Sequence, residues 1–96
     1  VDATGVGEGT AARLRELNLP THPVYLGARS DNPGGDVRCA NKRAELWTTM
    51  AAWLKVGAIV NDDELKAQLC APEYGESAQG LVIEKKEHMR ERGLAS

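Results

Sequence analysis

The chain of 96 residues has a mass of 10.3 kDa, enough for one small domain or a piece of a larger one. With 42% hydrophobic and 27% charged residues it is ordinary globular material rather than a disordered chain, and no apolar run reaches the roughly 20 residues of a membrane helix. A formal charge of -2 excludes a nucleic-acid binder that is basic all over, and 4% aromatics without a single Phe speak against base-stacking platforms.

The N-terminus, Val1-Asp2-Ala3-Thr4, is neither a start methionine nor a signal peptide and reads as a cut inside a longer gene product. It is expected to end a strand. Gly5, Gly7 and Gly9 form the turn that follows, and Thr10 caps a helix whose inner face carries Ala11, Leu14 and Leu17. Asn18 and Pro20 end that helix, and His22 to Gly27 reads as a short second strand. Strand, helix and strand in so few residues imply parallel strands joined by a right-handed crossover.

Arg29 to Asp36 is a loop on composition alone. The longest helix is predicted from Asn41 to Val56, with Asn41 as its cap and Gly57 as its stop. Leu46, Trp47, Met50, Ala51, Trp53 and Leu54 supply its apolar side, and both tryptophans are expected in the core. Ala58-Ile59-Val60 is a short extended piece. A helix then starts at Asn61-Asp62-Asp63-Glu64, where acids suit the dipole, and runs to Pro72. Tyr74 and Leu81-Val82-Ile83 flank a Gly/Ser turn and are expected to form a hairpin. Lys86 to Arg92 is a charged helical turn closed by Gly93. Cys39 and Cys70 stand too far apart for a CxxC zinc or redox motif and read as reduced thiols.

Three blocks carry chemistry. In Asp2 to Gly9 a carboxylate at a strand end precedes a glycine turn. That arrangement lets backbone approach a hard cation or a phosphate, although Gly-rich strand-to-helix turns are common without any ligand. Gly5-Val6-Gly7-Glu8-Gly9 departs from G-x-G-x-x-G, its third glycine coming one place early, and no P-loop lysine follows. In Ala40 to Trp47, the cations Lys42 and Arg43 open a helix, against the preference of its dipole. With Arg38 before them they are candidates for phosphate contact, the alternative being a solvated charge or a salt bridge to Glu45. In Ile83 to Gly93 a run of mixed charge follows a strand and suits either a DNA backbone or an exposed helix. His22 and His88 have no sequence partner that suggests catalysis.

Together these blocks resemble the nuclease half of phage terminase large subunits, the DNA-packaging motors. The family shows D-x-x-G-x-G, then N-K-R-A-E-x-W leading to W-L-x-x-G, then I-E-x-K-x-x-M-x-x-R-G-x-x-S. Here these fall at Asp2 to Gly7, at Asn41 to Trp47 with Trp53 to Gly57, and at Ile83 to Ser96. Each block alone is weak; their order along nearly the whole chain is more specific.

The resemblance implies an RNase H-like α/β fold and a nuclease that cuts concatemeric viral DNA with Mg²⁺ or Mn²⁺ held by three acids. Only one of those acids maps here, to Asp2, so residues 1–96 are expected to lack the first strands and the last acidic motif, and to be inactive alone. It further implies a role for Lys86 near the scissile phosphate, with Arg38, Lys42, Arg43 and Lys86 on double-stranded DNA. The implied partners are the small terminase subunit and the portal, in the host cytoplasm, with no membrane. A different class of reading is a non-catalytic module that docks on another packaging subunit through the Trp-bearing helix or the hairpin. Open sheet edges and apolar faces also favour self-association.

Overall fold

The structure, a computed structural model, describes residues 1–31 and 37–94. The elements are α1 (Gly7–Glu16), α2 (Lys42–Trp53), α3 (Asp63–Cys70), β1 (Tyr74–Ser77), β2 (Gly80–Ile83) and α4 (Lys86–Glu91). Among the described residues the class is mixed α/β, with four helices and one two-stranded antiparallel hairpin. Residues 32–36 of the expected loop and the last two residues of the C-terminal block lie outside the described residues.

The short parallel strands expected on either side of the first helix are not present as strands. They are reduced to one isolated parallel bridge between Asp2 and Val24. The Ala3 N–H donates to the Val24 carbonyl and the Val24 N–H to the Val1 carbonyl, each at 2.8 Å. Pairing stops there because the chain turns, Ala28 N–H closing on the Tyr25 carbonyl at 3.0 Å, and because Leu26 gives its carbonyl to the Arg43 N–H of α2.

Helix α1 begins earlier than the glycine pattern suggests. Only Gly5, at φ 62, makes the left-handed turn. Gly7 already opens the helix, and Thr10 lies inside it rather than at its cap. Gly7 is dictated by close approach: a Cβ there would stand 1.7 Å from the Asp2 carbonyl oxygen. Of the expected inner face, Ala11 is fully buried while Leu17 is 51% exposed. Asn18, at φ 57, and a Leu19 N–H to Leu14 carbonyl bond of 3.0 Å end the helix.

Helix α2 follows its sequence closely. The Asn41 side chain accepts from the Ala44 N–H at 2.9 Å, as an N-cap should. The chain leaves α2 through Gly57, whose N–H reaches the Trp53 carbonyl at 2.7 Å and which lies under the Trp53 ring. Ala58-Ile59-Val60 forms no strand. In α3 the cap is Asp62, its carboxylate accepting from Leu65 N–H at 3.0 Å.

The hairpin pairs Tyr74 with Ile83, Gly75 with Val82, Glu76 with Leu81 and Ser77 with Gly80. A third ribbon, which the sequence did not announce, lies along its other side: Cys39 makes an isolated parallel bridge to Leu81. Leu81 N–H donates to the Arg38 carbonyl at 2.8 Å, and Ala40 N–H to the Leu81 carbonyl at 2.9 Å. Gly80, at φ 121, allows this, since a Cβ there would stand 2.5 Å from the Arg38 carbonyl oxygen.

The buried hydrophobic residues are Ala3, Ala11, Cys39, Ala44 and Met89. This is a core of small side chains with one methionine. The tryptophans do not enter it: Trp47 is half-buried and Trp53 is 46% exposed. The physical reason is that α2 packs closely on β2 along one face only, and no other helix backbone comes close to it. The accessible surface is 7292 Å², whereas a folded monomer of this mass exposes about 5,350 Å². The radius of gyration is 15.2 Å against about 12.5 Å for a compact chain of this length. Apolar faces therefore lie open. No helix among the described residues is long and apolar enough to cross a membrane.

Candidate functional site

Asp2 stands where the first bridge ends and the glycine turn begins. Its carboxylate oxygen Oδ1 accepts the Thr4 N–H at 3.0 Å, which fixes the side chain over the turn. That hydrogen bond, the positive charge of Lys86 and the N-terminal ammonium together hold the carboxyl below the usual carboxylate range. Asp2 is exposed and ionised at neutral pH, with its charge facing a cation from the far end of the chain.

Lys86 opens α4, directly after the hairpin. It is exposed and makes no ion pair within 4 Å among the described residues. On its other side it lines a groove with Arg43, Trp47, Leu65, Leu69 and Met89, walled by α2, α3 and α4. The fold thus brings two of the sequence candidates, Lys86 and Arg43, to one groove, and the Lys86 charge is felt at Asp2.

Arg43 reaches across from α2 to β2's end, its Nη2 donating to the Glu84 carbonyl at 3.1 Å. Its Nε is closed off from solvent and has no acceptor.

Lys42 is differently placed. Its ammonium is paired with Asp31 and, at 2.9 Å, with Glu45, and its side chain is only 16% exposed. The two carboxylates push the ammonium pKa up, and the ammonium pulls both carboxyls down. Glu45 also accepts the Asp31 N–H at 3.0 Å. The pair to Glu45 is one of the alternatives open in the sequence; Asp31 was given no role there. Lys42 therefore fastens the segment that ends at Asp31 to α2. The N-terminal end of α2 is likewise occupied, Lys42 N–H donating to the Ala28 carbonyl at 2.7 Å and Arg43 N–H to the Leu26 carbonyl at 3.0 Å. No free helix-end amides are left there for an anion.

Arg38 is exposed beside the bridge to Leu81, and among the described residues it is engaged through its backbone. Glu84, not singled out in the sequence, is an anchor. Arg92 Nε donates to its Oε2 at 2.8 Å, while the same guanidinium pairs with Glu73 at 3.2 Å and donates to the Ala71 carbonyl at 3.2 Å. Arg92 holds the Glu84 carboxyl below its ordinary range. The I-E-x-K spacing contained this glutamate, but nothing in the sequence paired it with an arginine eight positions on.

Among the described residues no three His, Cys, Asp or Glu side chains gather closely enough to hold a metal ion. Asp2 offers one carboxylate, half of it already hydrogen-bonded. By themselves these residues do not fit the pair of divalent ions that the terminase resemblance implies. Both cysteines are free, Cys39 buried and Cys70 exposed. No protein-family model matches the chain, and no match is found among curated proteins or solved structures.

Proposed function

We propose that the chain is part of the RNase H-like endonuclease domain of a phage-type DNA-packaging terminase, contributing one acid and a set of cations to a DNA-cleaving site. The observation that carries this reading is the order of the motifs together with the placing of Asp2, exposed at the start of the glycine turn with its carboxylate held by the Thr4 N–H. The ordered motifs put Asp2 and Lys86 near chemistry, and these residues from opposite ends of the chain share one electrostatic neighbourhood. An ionised carboxylate and a lysine with no ion pair among the described residues suit a phosphodiester: the lysine draws the phosphate in, and the carboxylate is available to whatever completes the acid set. Arg43 and Arg38 extend the positive charge toward the DNA backbone, and Lys42 holds Asp31 against the start of α2. The bonds are not cut by this chain alone, because one carboxylate is too few.

The test is plasmid cleavage in Mg²⁺ or Mn²⁺. Residues 1–96 alone leave the plasmid intact. In the longer gene product Asp2→Asn abolishes cleavage with an unchanged circular-dichroism spectrum, and Lys86→Ala weakens DNA binding whatever the sequence, with a shallower salt dependence. Cleavage that survives Asp2→Asn refutes the assignment.

A second reading is supported by the excess surface: the chain serves as a docking module whose open apolar faces are covered by another packaging subunit. It differs from the first in predicting that Asp2→Asn leaves packaging unchanged.

A further inference from the structure

The groove between α2, α3 and α4 has a chemistry that DNA contact does not use. Its volume is about 220 Å³, somewhat larger than the roughly 150 Å³ cavity that accepts a benzene ring. Its walls are Trp47, Leu65, Leu69 and Met89, and its only charged residues are Arg43 and Lys86. No acid lines it. Neither cation has a carboxylate within 4 Å among the described residues. Arg43 also holds an N–H that is shut off from water without an acceptor, a costly state for a charged group.

We propose that this groove is a docking site for an acidic peptide segment of a partner protein, one that inserts a single aromatic or branched apolar side chain between Leu65, Leu69 and Met89 and sets flanking carboxylates against Arg43 and Lys86. Charge complementarity selects the occupant: an apolar slot with two unpaired cations and no acid rejects a basic or neutral segment and favours an anionic one. Duplex DNA brings the right charge, but its backbone has no apolar group to fill the slot. This inference does not depend on the nuclease reading; Lys86 serves the groove on one side and Asp2 on the other.

The probe is a capped decapeptide of Asp and Ser with one central Phe, read by Trp47 fluorescence in a Trp53→Phe background. Binding is expected to weaken about tenfold, equivalent to 1.4 kcal/mol, when Phe is replaced by Ala, when Asn replaces Asp throughout, or when the protein carries Arg43→Gln. Lys85→Gln removes the same charge from a residue outside the groove and is expected to leave affinity within twofold. Leu65→Gln, on the exposed α3, provides a second groove variant should Arg43→Gln fail to fold, and is expected to weaken the peptide as strongly. Equal binding of the uncharged peptide, equal effects of Arg43→Gln and Lys85→Gln, or displacement of the peptide by a second copy of the chain as the better ligand overturns the proposal.

Discussion

The first 25 residues and the body formed by α2, the hairpin and α4 are held together by different means. In the N-terminal region the bonds between residues distant in sequence are backbone to backbone: one parallel bridge, beside a tight turn at Gly5 and a helix start that requires Gly7 to pass over the Asp2 carbonyl. In the body, side chains hold the elements together: Arg92 gathers Glu84, Glu73 and the Ala71 carbonyl, Arg43 ties α2 to the end of β2, and Met89 fills the gap beneath. Asp2 sits in the first region and Lys86 in the second. Any joint action of the two therefore depends on the links between the regions, among them the α2 amides on the Leu26 and Ala28 carbonyls and the Lys42 cluster with Asp31 and Glu45.

Adding one methyl group tests this contrast most sharply. Gly7→Ala drives a Cβ into backbone, which cannot move aside without opening the bridge. It is expected to cost about 3 kcal/mol, the upper end of overpacking, with amide exchange at Ala3 and Val24 accelerated most. Gly57→Ala meets only the Trp53 ring, at 2.4 Å. That ring is half exposed and can swing out, so urea denaturation should show a loss below about 1 kcal/mol. Equal losses at the two glycines break the comparison.

Met89→Ala comes next. It removes the one large buried side chain of the body and is expected to cost about 2–3 kcal/mol in a chemical denaturation curve, with the loss spread over the hairpin and α4 rather than α1. Asn41→Ala deletes the α2 cap and is expected to cost about 1 kcal/mol, sharpening the comparison because it acts at the junction.

The smallest effect is one of pH. Glu84 has its carboxyl lowered from 4.5, chiefly by Arg92, and Asp2 has its lowered from 3.8, chiefly by the Thr4 N–H. A depressed carboxyl gives stability that is complete above its unfolded value and disappears as pH falls through the folded one. Thermal melts should therefore hold steady above about pH 5 and decline below it. Glu84→Gln should flatten the decline in the body, and Asp2→Asn in the N-terminal region. A melt that declines on raising pH from 5 to 7 contradicts the sign.

Legibility in the sequence divides along the same line. Local signals were readable: the Asn41 cap, the Gly57 stop, the hairpin between Tyr74 and Ile83 and the closure of α4 by Gly93 all follow from residue type at a fixed offset. The length of pairing was not. Val24 and Tyr25 have strand chemistry, but whether a β-prone stretch becomes a strand depends on a neighbour, and α2 takes the Leu26 carbonyl first. The same limit hid the partners of Lys42. Glu45 lies within a helical turn and could be read; Asp31 lies across a loop and could not. The spacing along α2 puts both tryptophans on its apolar side, with Trp53 toward the edge, yet Trp47 borders an open groove and Trp53 is 46% exposed. For the site, the motif order pointed to Asp2 and Lys86, while the groove emerges only when α3 is set beside α4.

The glycine at position 80 also sets an order of events in time. The hairpin closes across Ala78 and Gln79 alone, a local step that hairpins complete in microseconds. The bridge from Cys39 to Leu81 must close a far longer loop, and it can do so only against a Gly80 already turned to φ 121. The residues around Cys39 leave the ribosome well before Gly80 exists. They are expected to pair last, once the local hairpin has formed and offers its outer edge, so that this part of the molecule assembles from its later residues back toward its earlier ones.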